Sequence, residues 1–259
     1  MLPRENLLKG AEHRETLVRL IDLAEQALKT WEPVTSDFLS PPEWMEVQQR
    51  FCGLTEIQLV AWGGYPQAER QRVVVARSEL PLTSEQVALT VLAIAGNFLF
   101  DTASHQDFLG AILSTGIVRE KVGDILVLGE RGAQAIVAPD IATFLELNLT
   151  QVRSVPVKTQ VIALDELKVS APRQKELTTV EASLRLDAIA SAGFGLSRSK
   201  MTELIAAGEV RVNWKTVTQA STPLKSGDLV AIRGKGRLTV GEIAVTKKAR
   251  YRVQLSRFY

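Results

Sequence analysis

Residues Ala182–Lys215 read ASLRLDAIASAGFGLSRSKMTELIAAGEVRVNWK, the pattern of a helix, a short loop, a second helix and a basic strand. In the second helix Ser197 suits the N-cap. Met201, Leu204 and Ile205 form one apolar stripe, and Gly208 stands where a cap glycine belongs. Arg198 and Lys200 fall in its first turn, where cations oppose the helix dipole by about a few tenths of a kcal/mol each. An anion at that helix start reverses the sign, because backbone N–H groups, dipole and both side chains then act on one phosphate. The competing reading is a solvated charge pair on a capped helix. Val210–Lys215 alternates as a strand, with Val210, Val212 and Trp214 on one face and Arg211, Asn213 and Lys215 on the other. Asn213 is a candidate for a base edge or a ribose hydroxyl, and equally for shaping a turn. By parity Trp214 belongs to the core.

Charge is concentrated around this stretch. Residues 181–259 carry 14 Lys+Arg against 6 Asp+Glu, whereas the preceding 180 residues carry 17 against 23. The net +2 of the whole chain therefore conceals a basic module on an acidic body, which points to a polyanionic partner. Within the module, Arg233-Gly-Lys-Gly-Arg237 is a glycine-spaced basic loop whose backbone can approach a phosphate closely. Lys247, Lys248 and Arg250, followed by Arg252 and Arg257, form a further basic cluster. One such run is usually a solvated surface; three in one small module argue for a site.

The remaining 180 residues read as two α+β stretches. Leu17, Leu20, Ile21, Ala24 and Leu28 mark an amphipathic helix broken at Trp31-Glu-Pro33, and a second helix starts at Pro41-Pro42 and runs through Phe51. Strands are expected at Ile57–Trp62 and Arg72–Arg77, joined by the turn Gly63-Gly64-Tyr65-Pro66. Then come a strand (Val87–Ala95), a helix (Ser104–Thr115), a hairpin (Asp124–Leu128 and Ala133–Ala138), a helix (Pro139–Leu149) and a last strand (Gln151–Val157 or beyond). That β-α-β-β-α-β order is the ferredoxin-like split pattern, which RNA-recognition motifs share with many unrelated folds. The aromatic strand signature of those motifs is missing, so the sequence leaves open whether this sheet touches RNA. Asp165–Thr179 is the linker candidate.

The string S-L-R-L-D-A-I, then S-R-S-K with L-I, then G-E-V-R-V-N-W-K, G-D and R-G-K-G-R resembles the S4 RNA-binding domain over about Ala182–Gly236. Ser104–Ile125, Gly63–Arg70 and Thr246–Arg250 extend the likeness over nearly the whole chain to the YlmH-type proteins, called photosystem II S4 domain proteins in cyanobacteria and plants. The resemblance implies an α+β fold of three small domains. These are an N-terminal α+β unit (1–80), a central ferredoxin-like, RRM-like domain (81–165) and an S4 helix–turn–helix on a small sheet (178–259). It also implies binding of ribosomal RNA or tRNA, ribosome-associated quality control on large subunits, and a photosystem II-related partner in the photosynthetic members. Arg185, Arg198, Ser199, Lys200, Arg211, Asn213, Lys215, Arg233, Lys235, Arg237, Lys247, Lys248 and Arg250 are the expected RNA contacts. His105, Arg119 and Lys121 are weaker candidates from the central block, beside Asp107 and Asp124; Ser104 and Asp107 have the spacing of a capping box.

The composition favours a binding protein over an enzyme. One cysteine, Cys52, leaves no internal disulfide and suits a reducing compartment, and two histidines with that cysteine do not build a common zinc site. The N-terminus lacks a secretory signal, and Val87–Gly96 is too short to span a bilayer, so a cytoplasmic protein is expected. Gly63-Gly64 precedes a second strand rather than a helix, against a methyltransferase loop, and Asp187 lies within a helix of the S4-like module rather than in a synthase domain. No catalytic group, cofactor or metal is expected. A protein-assembly factor with RNA as a secondary ligand is the other reading.

Overall fold

The computed structural model describes residues 2–169, 174–232 and 234–258, and the chain divides into two compact units, Met1–Val169 and Ser170–Tyr259. The first begins with α1 (Arg4–Leu8), α2 (Arg14–Thr30), β1 (Val34–Leu39), α3 (Pro41–Phe51), β2 (Ile57–Trp62) and β3 (Gln71–Arg77). The strands form an antiparallel sheet in the order β1-β3-β2. The predicted stripe of α2 is buried: Leu17, Leu20, Ile21 and Ala24 pack with Val47, Phe51, Val73 and Val75. Trp31 ends α2 in the left-handed region, and Ser40 with Glu43 forms a capping box that starts α3.

The second sheet of this unit comprises β4 (Thr90–Ala95), α4 (His105–Ser114), β5 (Val122–Val127), β6 (Gly132–Val137), α5 (Pro139–Asn148), the two-residue strands β7 (Gln151–Val152) and β8 (Val155–Pro156), and β9 (Lys158–Ile162). Its order β5-β6-β4-β9, antiparallel throughout, is the split β-α-β arrangement anticipated from the element order. The last strand starts later than Gln151. Gln151–Pro156 folds back on itself as a small hairpin, and the strand that joins the sheet is Lys158–Ile162. Phe108, Ile112, Ile141 and Leu145 of the two helices bury one sheet face with Leu92, Ile94 and Ala135.

The second unit holds β10 (Gln174–Glu181), α6 (Leu186–Phe194), α7 (Arg198–Ala206), β11 (Val210–Val212), β12 (Lys215–Thr216), β13 (Leu229–Ile232), β14 (Gly236–Val245) and β15 (Tyr251–Phe258). The six strands follow the order β10-β15-β14-β13-β11-β12, and both helices lie on one face. There Leu186, Ile189, Phe194, Met201 and Ile205 pack on Val210, Val230, Ile232, Leu238, Val240, Val253 and Leu255. Gly193 permits the closest approach, since a Cβ there would lie 2.3 Å from Leu238 Cδ2.

Candidate nucleic-acid interface

The helix pair builds its own charged centre. Gly195, at φ 67°, ends α6 and lets Leu196-Ser197 turn directly into α7, where Ser197 Oγ accepts the Lys200 N–H at 3.2 Å. Asp187, in the first turn of α6, is 4% exposed. Its Oδ1 accepts from Arg185 Nε at 2.9 Å and Ala188 N at 3.0 Å. Its Oδ2 accepts from Arg185 Nη2 at 3.1 Å and Arg198 Nε at 3.0 Å. Burial alone would raise the Asp187 carboxyl, but the bonds from Arg185 and Arg198 outweigh it and hold the group below its ordinary value. The arginine side chains stay 40% and 56% exposed, so one buried carboxylate holds two guanidinium heads at the surface. Ser199 and Lys200 are exposed beside them, with Lys200 Nζ on Glu203 at 2.9 Å. The sequence pattern paired Arg198 with Lys200; the geometry pairs it with Arg185.

The strand parity assumed for Val210–Lys215 is corrected here. β11 stops at Val212, and Asn213 and Trp214, at φ 48° and 67°, form a two-residue turn into β12. Two left-handed residues reverse the chain, so Lys215 returns opposite Val212, away from the face of Arg211. Trp214 is a half-buried turn residue rather than a core one. Asn213 shapes this turn. Its Nδ2 donates to Asp228 Oδ1 at 2.8 Å and its Oδ1 accepts the Leu229 N–H at 2.9 Å. Asp228 also accepts the Lys225 N–H at 2.7 Å, so the Gly227-Asp228 motif is turn architecture.

The basic residues thus fall into separate groups. Arg211, Ala231 and Arg237 stand in register on the sheet face away from the helices, because their neighbours Val210, Val230 and Leu238 point into the core. Lys235 is exposed in the β13–β14 turn, and Arg233 lies outside the described residues. Lys247, Lys248 and Arg250 are exposed at the β14–β15 turn. Arg257 turns inward instead, donating to the Phe194 carbonyl at 2.9 Å at the end of α6.

In the first unit the central candidates are engaged in the fold. Lys121 Nζ is 2.8 Å from both Asp37 and Asp140. Arg119 donates to the Val122 and Gly123 carbonyls, and burial, then the charge of Arg70, pull its pKa down to about 10. Burial and Arg119 likewise lower His105, at the start of α4, so it adds no charge at neutral pH. Asp107 closes the capping box with Ser104. A bulge in β5 between Val122 and Ile125 aims Asp124 at the Gly63–Arg70 turn. There it accepts from Tyr65 Oη at 2.8 Å, Glu69 N at 2.7 Å and Arg70 N at 3.1 Å. The sheet face that an RNA-recognition motif would offer is partly closed by the chain itself. Phe38, Tyr65 and Leu167 pack on Val91 and Ile136, and Gln134 is bonded to the Glu166 carbonyl and the Lys168 N–H.

Residues 12–80 match the family model "YlmH, N-terminal", 83–166 match "Putative RNA-binding domain in YlmH", and 184–230 match "S4 domain". The fold resembles that of "Cell division protein ylmH from Streptococcus pneumoniae", with a TM-score of 0.53 and 18% identity, covering 61% of this chain and 96% of that one. Over 223 residues the chain is 33% identical to "Ribosome-associated protein quality control protein P2" of Bacillus subtilis, spanning 86% of each. With that identity over most of its length, this chain belongs to the YlmH family and carries an S4 domain.

Proposed function

We propose that the protein is a non-catalytic RNA-binding factor that grips structured RNA, ribosomal RNA or tRNA on the large ribosomal subunit, in ribosome-associated quality control or assembly. The observation that carries this reading is the exposed pair Arg185 and Arg198 held by the buried Asp187, beside Lys200 at a helix start. Two fixed guanidiniums present N–H edges to phosphate oxygens without first being ordered, which suits recognition by shape and backbone. The name of the Bacillus subtilis relative supports the ribosomal setting. Ser199 beside this helix start, Lys215 in β12 and Lys235 in the β13–β14 turn are the further contacts we assign to the unit. Among the described residues no helix is long and apolar enough to cross a membrane, and a cytoplasmic site of action completes the reading.

The test is sedimentation of the native protein from gently lysed cells, with the double variant Arg198→Ala, Lys200→Ala alongside. Co-migration with large subunits that is lost at high salt, and weakened in the variant, is the expected result. In vitro, neutralising about four phosphates gives a log–log salt slope near −3, and the variant should shallow it by about one or more. A flat salt response refutes the reading. Sedimentation only with membranes, insensitive to nuclease, favours a photosystem II-linked protein partner instead.

A further inference from the structure

β14 and β15 are joined by a turn, Thr246–Arg250, that lies beyond their last paired residues. Past the pair Ile243–Val253, β14 and β15 stay paired through Ala244–Arg252 and Val245–Tyr251, with β10 alongside as far as Glu181 opposite Tyr251 and with Tyr251 still packed on the core, so that only the turn Thr246–Arg250 runs beyond the paired strands. A bulge between Val240 and Ile243 precedes it, where Gly241 lies so close to Gln254 that a Cβ would sit 3.2 Å from the Gln254 Cβ. Such a bulge increases the local twist and redirects the strands beyond it. The tip is closed by Thr246 N donating to the Arg250 carbonyl at 2.7 Å and by Arg250 N donating to Thr246 Oγ1 at 3.1 Å, with Ala249 at φ 54°. It is therefore a built turn at the end of the paired strands.

The chemistry of this hairpin end is one-sided. Lys247, Lys248, Arg250 and Arg252 are all exposed, no acidic residue lies between Ile243 and Val253, and the carboxylate that β10 places beside this segment, Glu181 opposite Tyr251, accepts from Thr179 Oγ1. None of the four is ion-paired to a carboxylate among the described residues. Val245, beside the tip, is 71% exposed. The hairpin end lies outside residues 184–230, which match the S4 domain. An unneutralised cationic hairpin end with an exposed small apolar side chain fits a sugar–phosphate surface: cations for phosphates, a valine against ribose carbons. The minor groove of duplex RNA is wide and shallow, and proteins read it through phosphates and ribose hydroxyls.

We propose that the β14–β15 tip is a second RNA-contacting element, which lies along the backbone of duplex RNA with Lys247, Lys248, Arg250 and Arg252 on phosphates and Val245 on the riboses. This rests on the RNA-binding reading of the unit but uses a different element from the α6–α7 site.

The experiment titrates a labelled RNA duplex with the full chain, the triple variant Lys247→Ser, Lys248→Ser, Arg250→Ser, and the helix-start variant Arg198→Ala, Lys200→Ala. The tip variant should bind about tenfold more weakly, with a salt slope shallower by about 2.7, as expected for three lost phosphate contacts. Unaltered thermal melting excludes a folding defect, and Lys247→Arg, Lys248→Arg should retain affinity. A control neutralising Lys9, Lys29 and Lys158, all exposed in the other unit, should change affinity by less than about twofold, which separates placement from net charge. If the helix-start variant loses binding while the tip variant does not, the tip proposal is overturned and the main reading stands. If neither variant changes affinity, both fail. Loss of binding to phosphatidylserine vesicles with intact duplex affinity would reassign the tip to an anionic membrane surface and also overturn the proposal.

Discussion

Replacing Asp187 by Asn removes a negative charge from a protein proposed to bind a polyanion, so simple charge counting predicts tighter binding. The structure predicts the opposite sign. Asp187 accepts four hydrogen bonds, three of them from Arg185 and Arg198, and an amide matches neither the bidentate geometry nor the charge. Two effects compete. A carboxylate about 6–7 Å from a phosphate gripped by the arginines repels it by about 0.6 kcal/mol in a water-like dielectric, and the variant gains that back. Releasing two arginine side chains means re-ordering both on binding, at about 0.5–1.5 kcal/mol each, so about 2 kcal/mol is lost. The net is about 1.4 kcal/mol, or about tenfold weaker RNA binding. The fold should survive, because ion pairs to arginines this exposed contribute only about 0.2–1 kcal/mol each to stability. Fluorescence anisotropy with a labelled structured RNA, paired with thermal melting, reads both quantities. Equal or tighter binding by the Asp187→Asn protein, with normal melting, would falsify the claim that this carboxylate positions the arginines.

Three further outcomes follow from the packing and the charges. Gly193→Ala places a methyl 2.3 Å from Leu238 Cδ2 and 2.6 Å from its Cδ1, so the S4 unit should lose about 1–3 kcal/mol by denaturant melting; an unchanged midpoint contradicts the tight helix–sheet contact. Asp124→Ala removes the acceptor of the Tyr65 hydroxyl and of the Glu69 and Arg70 N–H groups, and should destabilise the first unit by about 2–4 kcal/mol while leaving RNA affinity intact, as hydrogen exchange in the 63–70 turn would report. Because the folded state lowers the Asp187 carboxyl below its ordinary 3.8, its stabilising contribution is complete above that pH and is lost as the pH falls through the folded value. Acid unfolding of Asp187→Asn should therefore be less steep below about pH 4, and identical acid limbs would argue against the shift.

Much of the architecture was legible in local pattern. The stripe of α2, the proline start of α3, the serine start and glycine end of α7 and the β-α-β-β-α-β order rest on local residues, where periodicity and capping chemistry act over a few turns. β1 escaped because Val34-Thr-Ser-Asp-Phe-Leu39 has no apolar alternation: a bulge between Thr35 and Phe38 breaks the period. The same failure of period-two reasoning misplaced Trp214 and Lys215, since a turn of two left-handed residues is invisible to parity.

The sequence by itself determined that this chain has a basic C-terminal module with an S4-like helix pair and an acidic remainder, because charge and hydrophobic period are properties of the string. Only the tertiary structure decided how the cations are shared out. Burial of Asp187 between Arg185 and Arg198, the engagement of Lys121 by Asp37 and Asp140, and the turn of Arg257 onto Phe194 join residues from 2 to 84 positions apart. Which cations stay at the surface depends on which carboxylates and carbonyls the packed elements bring within hydrogen-bond reach, a distance in space that spacing along the chain does not encode.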